Sequence, residues 1–300
     1  MKTVLKLAML VGSCVALHAC CFGSSSHSSG PVAAEAPAVP GLGQPTAPIV
    51  PPIGPAPTAA GATPPGGFTA MQPPSVAMPY AADAWVWAAT SNTPDWSRWS
   101  YGRVKFVGAE GNHAKVRAMS QDRLTPSAFV TAAVPPAGLA PGAPVLYNTA
   151  IPIYARVVSV TGAQAQVANG QAASYRVVPR ETATLLAIQP NTWTPGHPVA
   201  ITEGADQYAC ILVAASPDKV WGICSGRLTE GARAAARLID PTAHLATGAS
   251  VLAQSMSGMG RSKLTAARVT AVLNDGNAYT VTTTEGRTFD VPWPMLMAAP

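Results

Sequence analysis

Charge is scarce in this chain. Only 11% of its 300 residues are Asp, Glu, Lys or Arg, against ~25% in an average soluble domain. The fourteen acidic residues fall mostly in turns, and no close carboxylate pair in an apolar context offers general acid–base chemistry. Neither G-x-S-x-G nor H-E-x-x-H occurs, which removes two common hydrolase signatures. The histidines beyond the N-terminal segment (His27, His113, His197 and His244) are scattered. No run of Lys and Arg appears, which argues against a nucleic-acid partner. No helical hydrophobic period is sustained over three turns, so a helical bundle is excluded. These absences lead to the expectation of a protein that is not an enzyme and carries no metal or cofactor.

Cysteine is also sparse, with five in all, and their placement is informative. Residues 1–19 carry Lys2 and Lys6 and then an apolar run through Ala16, the layout of a secretory signal too short to span a membrane. The segment ends Leu17-His18-Ala19-Cys20, which resembles a bacterial lipobox. That resemblance implies lipid transfer to Cys20, cleavage before it, and acyl chains that attach the protein stably to a membrane. Cys14 after Gly12-Ser13 is a rival position, and an ordinary cleaved signal is the other reading. Residue 21 is Cys rather than the Asp of inner-membrane retention, so the expected address is the outer membrane, on its periplasmic or surface face. Removal of Lys2 and Lys6 leaves 17 basic and 14 acidic residues, a net charge of +3.

Residues 20–80 are almost wholly Ser, Gly, Ala and Pro. Fourteen of the thirty prolines lie between Pro31 and Pro79, and Glu35 is the one charged residue after Cys21 in this stretch. Such a composition buries no core and reads as an extended tether.

The rest of the chain is written more than once. Gly142 stands in A-P-G-A-P-V, Gly196 in T-P-G-H-P-V and Gly248 in A-T-G-A-S-V. The steps, 196 − 142 = 54 and 248 − 196 = 52, are a repeat period. Aligning Arg103, Arg156, Cys210 and Arg268 places Pro126, Pro179 and Arg233 each 23 residues on and Pro292 24 residues on. β-Branched runs at 103–107, 156–160 and 268–272 are bounded by turn chemistry at 108–112, 161–164 and 274–277. Short strands with turns every 8–12 residues argue for an all-β architecture, with residues 232–238 the one short helical stretch. The boundaries read 81–137, 138–191, 192–244 and 245–300.

A unit with G-x-x-V, an aromatic-Ala-Arg-Val strand, a polar turn, a second strand and V-P before an apolar tail resembles SH3-like and Tudor-like barrels, over roughly residues 85–300. The resemblance implies four small barrels in tandem. It also raises methylated-side-chain recognition by an aromatic cage. Tyr147, Tyr154 and Tyr175 in the second copy, and Trp193, Tyr208 and Trp221 in the third, are spread too widely to read as one.

Three features stand out as candidate sites. Trp85, Trp87, Trp96, Trp99 and Tyr101 crowd the start of the head; they read either as an exposed face for protein, peptide or glycan or as rings that seal repeat against repeat. Cys210 and Cys224 flank a hairpin centred on Pro217, opposite one another across the strands, and predict a disulfide in an exported protein. No histidine or second cysteine pair stands at ligand spacing beside them. The loop 254–263 lacks the spacing of a phosphate loop and reads as mobile. The expected role is a lipid-anchored envelope binding or scaffold protein. A module acting on envelope polymers and a purely structural spacer are the alternatives.

Overall fold

The structure, a computed structural model, describes residues 73–91, 97–148, 151–170, 175–255 and 262–300. The expected signal segment, Cys20, the expected tether through residue 72, Trp96 and most of the 254–263 loop lie outside the described residues. Among the described residues, no helix is long and apolar enough to cross a membrane.

The head is all-β and holds four five-stranded antiparallel sheets. Unit 1 comprises β1 (Trp85–Ser91), β2 (Trp99–Glu110), β3 (His113–Ala118), β4 (Gln121–Pro126) and β5 (Val130–Ala132). Unit 2 comprises β6 (Pro144–Asn148), β7 (Pro152–Thr161), β8 (Gln164–Asn169), β9 (Val177–Glu181) and β10 (Leu186–Ala187). Unit 3 comprises β11 (Pro198–Glu203), β12 (Asp206–Ala215), β13 (Lys219–Cys224), β14 (Arg227–Ala232) and β15 (Arg237–Leu238). Unit 4 comprises β16 (Ser250–Gln254), β17 (Leu264–Leu273), β18 (Ala278–Thr283), β19 (Thr288–Pro292) and β20 (Leu296–Ala298). In each, four strands form a meander and the fifth returns to pair with the first, as in the order β4-β3-β2-β1-β5. A single 3-10 turn joins the fourth strand to the fifth: Ser127–Phe129, Thr182–Thr184, Arg233–Ala235 and Trp293–Met295. The short helix expected at 232–238 is one of these four, not a feature of unit 3 alone.

The repeat glycines have one job. Gly142, Gly196 and Gly248 have φ of +84°, +89° and +90°, a region open to glycine and strained for other residues. Each donates its N–H across the strand pair, to the carbonyls of Val157, Leu212 and Val269 respectively. In unit 1 Asp83 does this work, with φ of 62° and its N–H on Phe106 O at 2.8 Å. Asp is among the few residues that tolerate this conformation.

This register corrects the sequence alignment. Phe106, Val157, Leu212 and Val269 are equivalent, and each precedes a bulge in the second strand. Arg156 and Arg268 therefore correspond to Lys105 and Ile211, not to Arg103 and Cys210. Counted from Lys105, Arg156, Ile211 and Arg268, the residues before the 3-10 turns (Pro126, Glu181, Ala232 and Pro292) lie at differing distances. The uniform 23-residue spacing came from offsetting shifts.

The units interlock in a ring. Beside small cores of their own, such as Val86, Phe106 and Val116 in unit 1, they share one cluster that includes Trp87, Trp99 and Tyr101 of unit 1, Leu146 and Ile188 of unit 2, Val213 and Trp221 of unit 3, and Val269, Tyr279 and Trp293 of unit 4. Units of about fifty residues bury too little surface to be stable alone, and this shared core supplies the remainder. Contacts run between units 1 and 2 (β2 with β6 and β7), 1 and 3 (β2 with β13), and 3 and 4 (β12 with β17). Arg156 joins unit 2 to both units 3 and 4, its guanidinium donating to Gly276 O of unit 4 at 2.8 Å and to Pro241 O at the end of unit 3 at 3.2 Å.

Candidate functional site

The candidate binding residues of the first unit separate. Trp87 and Tyr101 are fully buried and stack on one another, with centroids 5.8 Å apart. Trp99 is buried edge-on against Phe129, and its backbone N–H donates to Gly226 O of unit 3 at 2.7 Å. The open face expected of a surface-binding Trp99 is not found: the ring seals unit against unit, because its area is too large and apolar to leave in water once unit 3 is at hand. Among the described members of this set, Trp85 alone is exposed, at 43%, with Arg103 and Lys105 over its ring at 4.1 and 4.3 Å.

The aromatics of units 2 and 3 do not converge into a cage. Tyr147 is buried with Arg180 above it, Trp193 is covered by Arg233, and Trp221 donates its Nε1–H to Glu230 at 2.9 Å. Cys210 and Cys224 form the expected disulfide, with Cα atoms 4.2 Å apart. The hairpin register sums to 434 for Ile211 and Ile223, as symmetry about Pro217 requires.

A site missed by the sequence lies where the four units meet. A cleft of about 310 Å³ is lined by Trp99 and Tyr101 of unit 1, Ile153 and Tyr154 of unit 2, Ile211 and Ile223 of unit 3, and Pro294 and Met295 of unit 4. Its size falls at the lower end of small-molecule sites. Unit 3 supplies Ile211 from β12 and Ile223 from β13, cross-strand neighbours on one face, and the disulfide ties these strands together beside the cleft through Cys210.

Polar groups in the cleft are few. The Tyr154 hydroxyl donates to Gly196 O at 2.8 Å, but the buried Tyr101 hydroxyl has no partner among the described residues. Burial pushes both phenols well above their ordinary pKa, with each phenolate further disfavoured by a neighbouring tyrosine, so both stay protonated. The Tyr101 O–H is therefore an enclosed donor without a partner among the described residues, which costs stability. No run of residues foretold this cleft, because its lining comes two or three residues at a time from segments far apart in the chain.

No protein-family model and no curated protein matches this chain.

Proposed function

We propose that the protein is a lipid-anchored binding protein of the cell envelope, whose four-unit head receives a small apolar molecule. The observation that carries this reading is the apolar cleft into which all four units send side chains. The ligand's apolar body displaces water from Ile153, Ile211, Ile223 and Met295. The anchor at Cys20 and the proline-rich tether place the head off an outer membrane; the signal-like N-terminus supports that address. The strand order, with a 3-10 turn before the fifth strand, supports SH3-like units, while the scattered aromatics speak against methyl-lysine reading.

The test is equilibrium binding of the apolar fluorophore N-phenyl-1-naphthylamine to the full-length protein. Enhanced emission that saturates with the native chain, and is lost in Ile153→Trp, where the new ring fills the cleft, supports the reading. Equal binding by both overturns it.

A further inference from the structure

The cleft has a counterpart. By strand register, Ala209, Ile211, Ile223 and the turn Ser225-Gly226 of unit 3 correspond to Arg103, Lys105, Arg117 and the turn Met119-Ser120 of unit 1. All of the former line the apolar cleft, and all of the latter line a second cleft of about 300 Å³. Gln254 of unit 4 and Asn148 of unit 2 are equivalent in turn, and Asn148 lies on the wall of the second cleft. The same groove thus occurs twice, and its chemistry is inverted from apolar to cationic.

Four cations line the second cleft (Arg103, Lys105, Arg117 and Arg123), and no carboxylate among the described residues does. They come from three strands, so no basic run announced them. Arg117 is committed to Asp122 at 2.8 Å, and that exposed pair counts as neutral. Arg123 donates to Ser91 O at 2.6 Å and to Gln121, and Lys105 donates one proton to Asp83 O at 2.7 Å; none of these acceptors carries charge. Glu181 of unit 2 acts on Arg103 through its charge alone. The Nε of Arg103 is enclosed and has no acceptor among the described residues. Among the described residues, three cations that have no carboxylate hydrogen-bonded to them describe a site for an ion with several negative oxygens.

The turn at the mouth agrees. Met119 and Ser120 both have positive φ, 49° and 64°, where turns of this shape favour Asn-Gly. Such strain gathers at functional sites. In unit 3 the matching turn is packed on Trp99; in unit 1 Met119 is 76% exposed, so this groove opens outward.

We infer that the unit 1 groove is an anion site that binds phosphate groups, with Arg103, Lys105 and Arg123 as the contacting residues. A single carboxylate neutralises too little of this charge, whereas a phosphate ester or diphosphate matches both the charge and the planar guanidinium fork. The phosphate comes either from a soluble ligand or from a lipid headgroup.

The experiment uses the full chain with Cys20→Ser, so that no acyl group confounds it. Calorimetric titration with inorganic pyrophosphate and co-flotation with phosphatidylglycerol vesicles are run in parallel. Binding in either arm, weakened at least tenfold by Arg103→Gln or Arg123→Gln and unchanged by Lys115→Gln outside the cleft, supports the site. Pyrophosphate binding alone assigns a soluble ligand, and flotation alone assigns a headgroup. Two glutamine variants guard against one that fails to fold. Binding in neither arm, or equal weakening by Lys115→Gln, overturns the inference. The fluorophore experiment on the apolar cleft reads out separately from this one.

Discussion

Asn148 and Gln254 occupy the same register position, one on β6 and the other on β16, and each carries its amide into the preceding unit. The Asn148 amide lies over Gly102 of β2, where an added Cβ would stand 2.6 Å from Nδ2. The Gln254 Oε1 accepts the N–H of Ala209 on β12 at 2.7 Å. Unit 1 therefore sits on unit 2 as unit 3 sits on unit 4, and the head is a pair of pairs. Gln254→Leu keeps the volume but strands a buried backbone N–H, which costs about 1–3 kcal/mol. Chemical unfolding of the variant against the native chain measures it.

Arg156 joins the pairs. Its buried guanidinium is held by three carbonyls, those of Gly276, Pro241 and Ala243, and faces the Trp293 ring. Arg156→Met removes the charge and leaves these neutral carbonyls without this donor, at an expected cost of about 1–3 kcal/mol. Arg156→Lys recovers little of this, because one ammonium cannot span the fork's acceptors. Melting temperatures of the three proteins check the order native, then Lys, then Met.

The repeat was legible because Gly142, Gly196 and Gly248 meet a backbone demand that few other residues meet. Asp83 meets the same demand invisibly, since an aspartate carries no fixed conformational meaning. The hairpin turns of the four units differ in length, so counting residues aligned Arg103 and Cys210 with Arg156, while hydrogen-bond register aligns Lys105 and Ile211. The disulfide was legible because a hairpin is local. The clefts were not: Trp99, Tyr154, Ile223 and Pro294 share no period, and only the packing of unit on unit brings them together. Trp99 showed the limit most clearly, since a crowded tryptophan has the same sequence signature whether it binds a ligand or a neighbouring unit.

Two glycine substitutions separate backbone strain from packing. Gly142→Ala places a Cβ in open space, so positive φ alone penalises it, by about 1–2 kcal/mol. Gly196→Ala adds to the same strain a collision with Leu186 of unit 2, whose Cδ2 lies within reach of the new carbon. Urea unfolding is expected to rank Gly196→Ala as the more damaging.

His197 makes stability depend on pH. The buried ring bonds through Nδ1 to Pro198 O at 2.8 Å, and its Nε2 has no partner among the described residues. Burial lowers its pKa, against the smaller opposing effects of the Pro198 bond and Asp240. The unfolded chain then binds a proton near pH 6.5 that the folded chain accepts only at lower pH. Stability is therefore highest above pH 6.5 and falls as pH drops from there toward the folded value. Thermal melts between pH 7.5 and 5.5 are expected to show this decline, and His197→Gln is expected to flatten it. Asp240, held low by Thr242 despite its burial, titrates below this window.

The cleft among the four units is tested most directly by methyl NMR on the full-length protein with labelled isoleucines, titrated with N-phenyl-1-naphthylamine. Ile151, Ile153, Ile211 and Ile223 line the cleft, whereas Ile201 and Ile239 lie in other parts of the core. Shifts confined to the first four, drawn from two different units and saturating together, are the predicted result. Shifts at Ile201 and Ile239 with the cleft methyls unmoved would contradict the account.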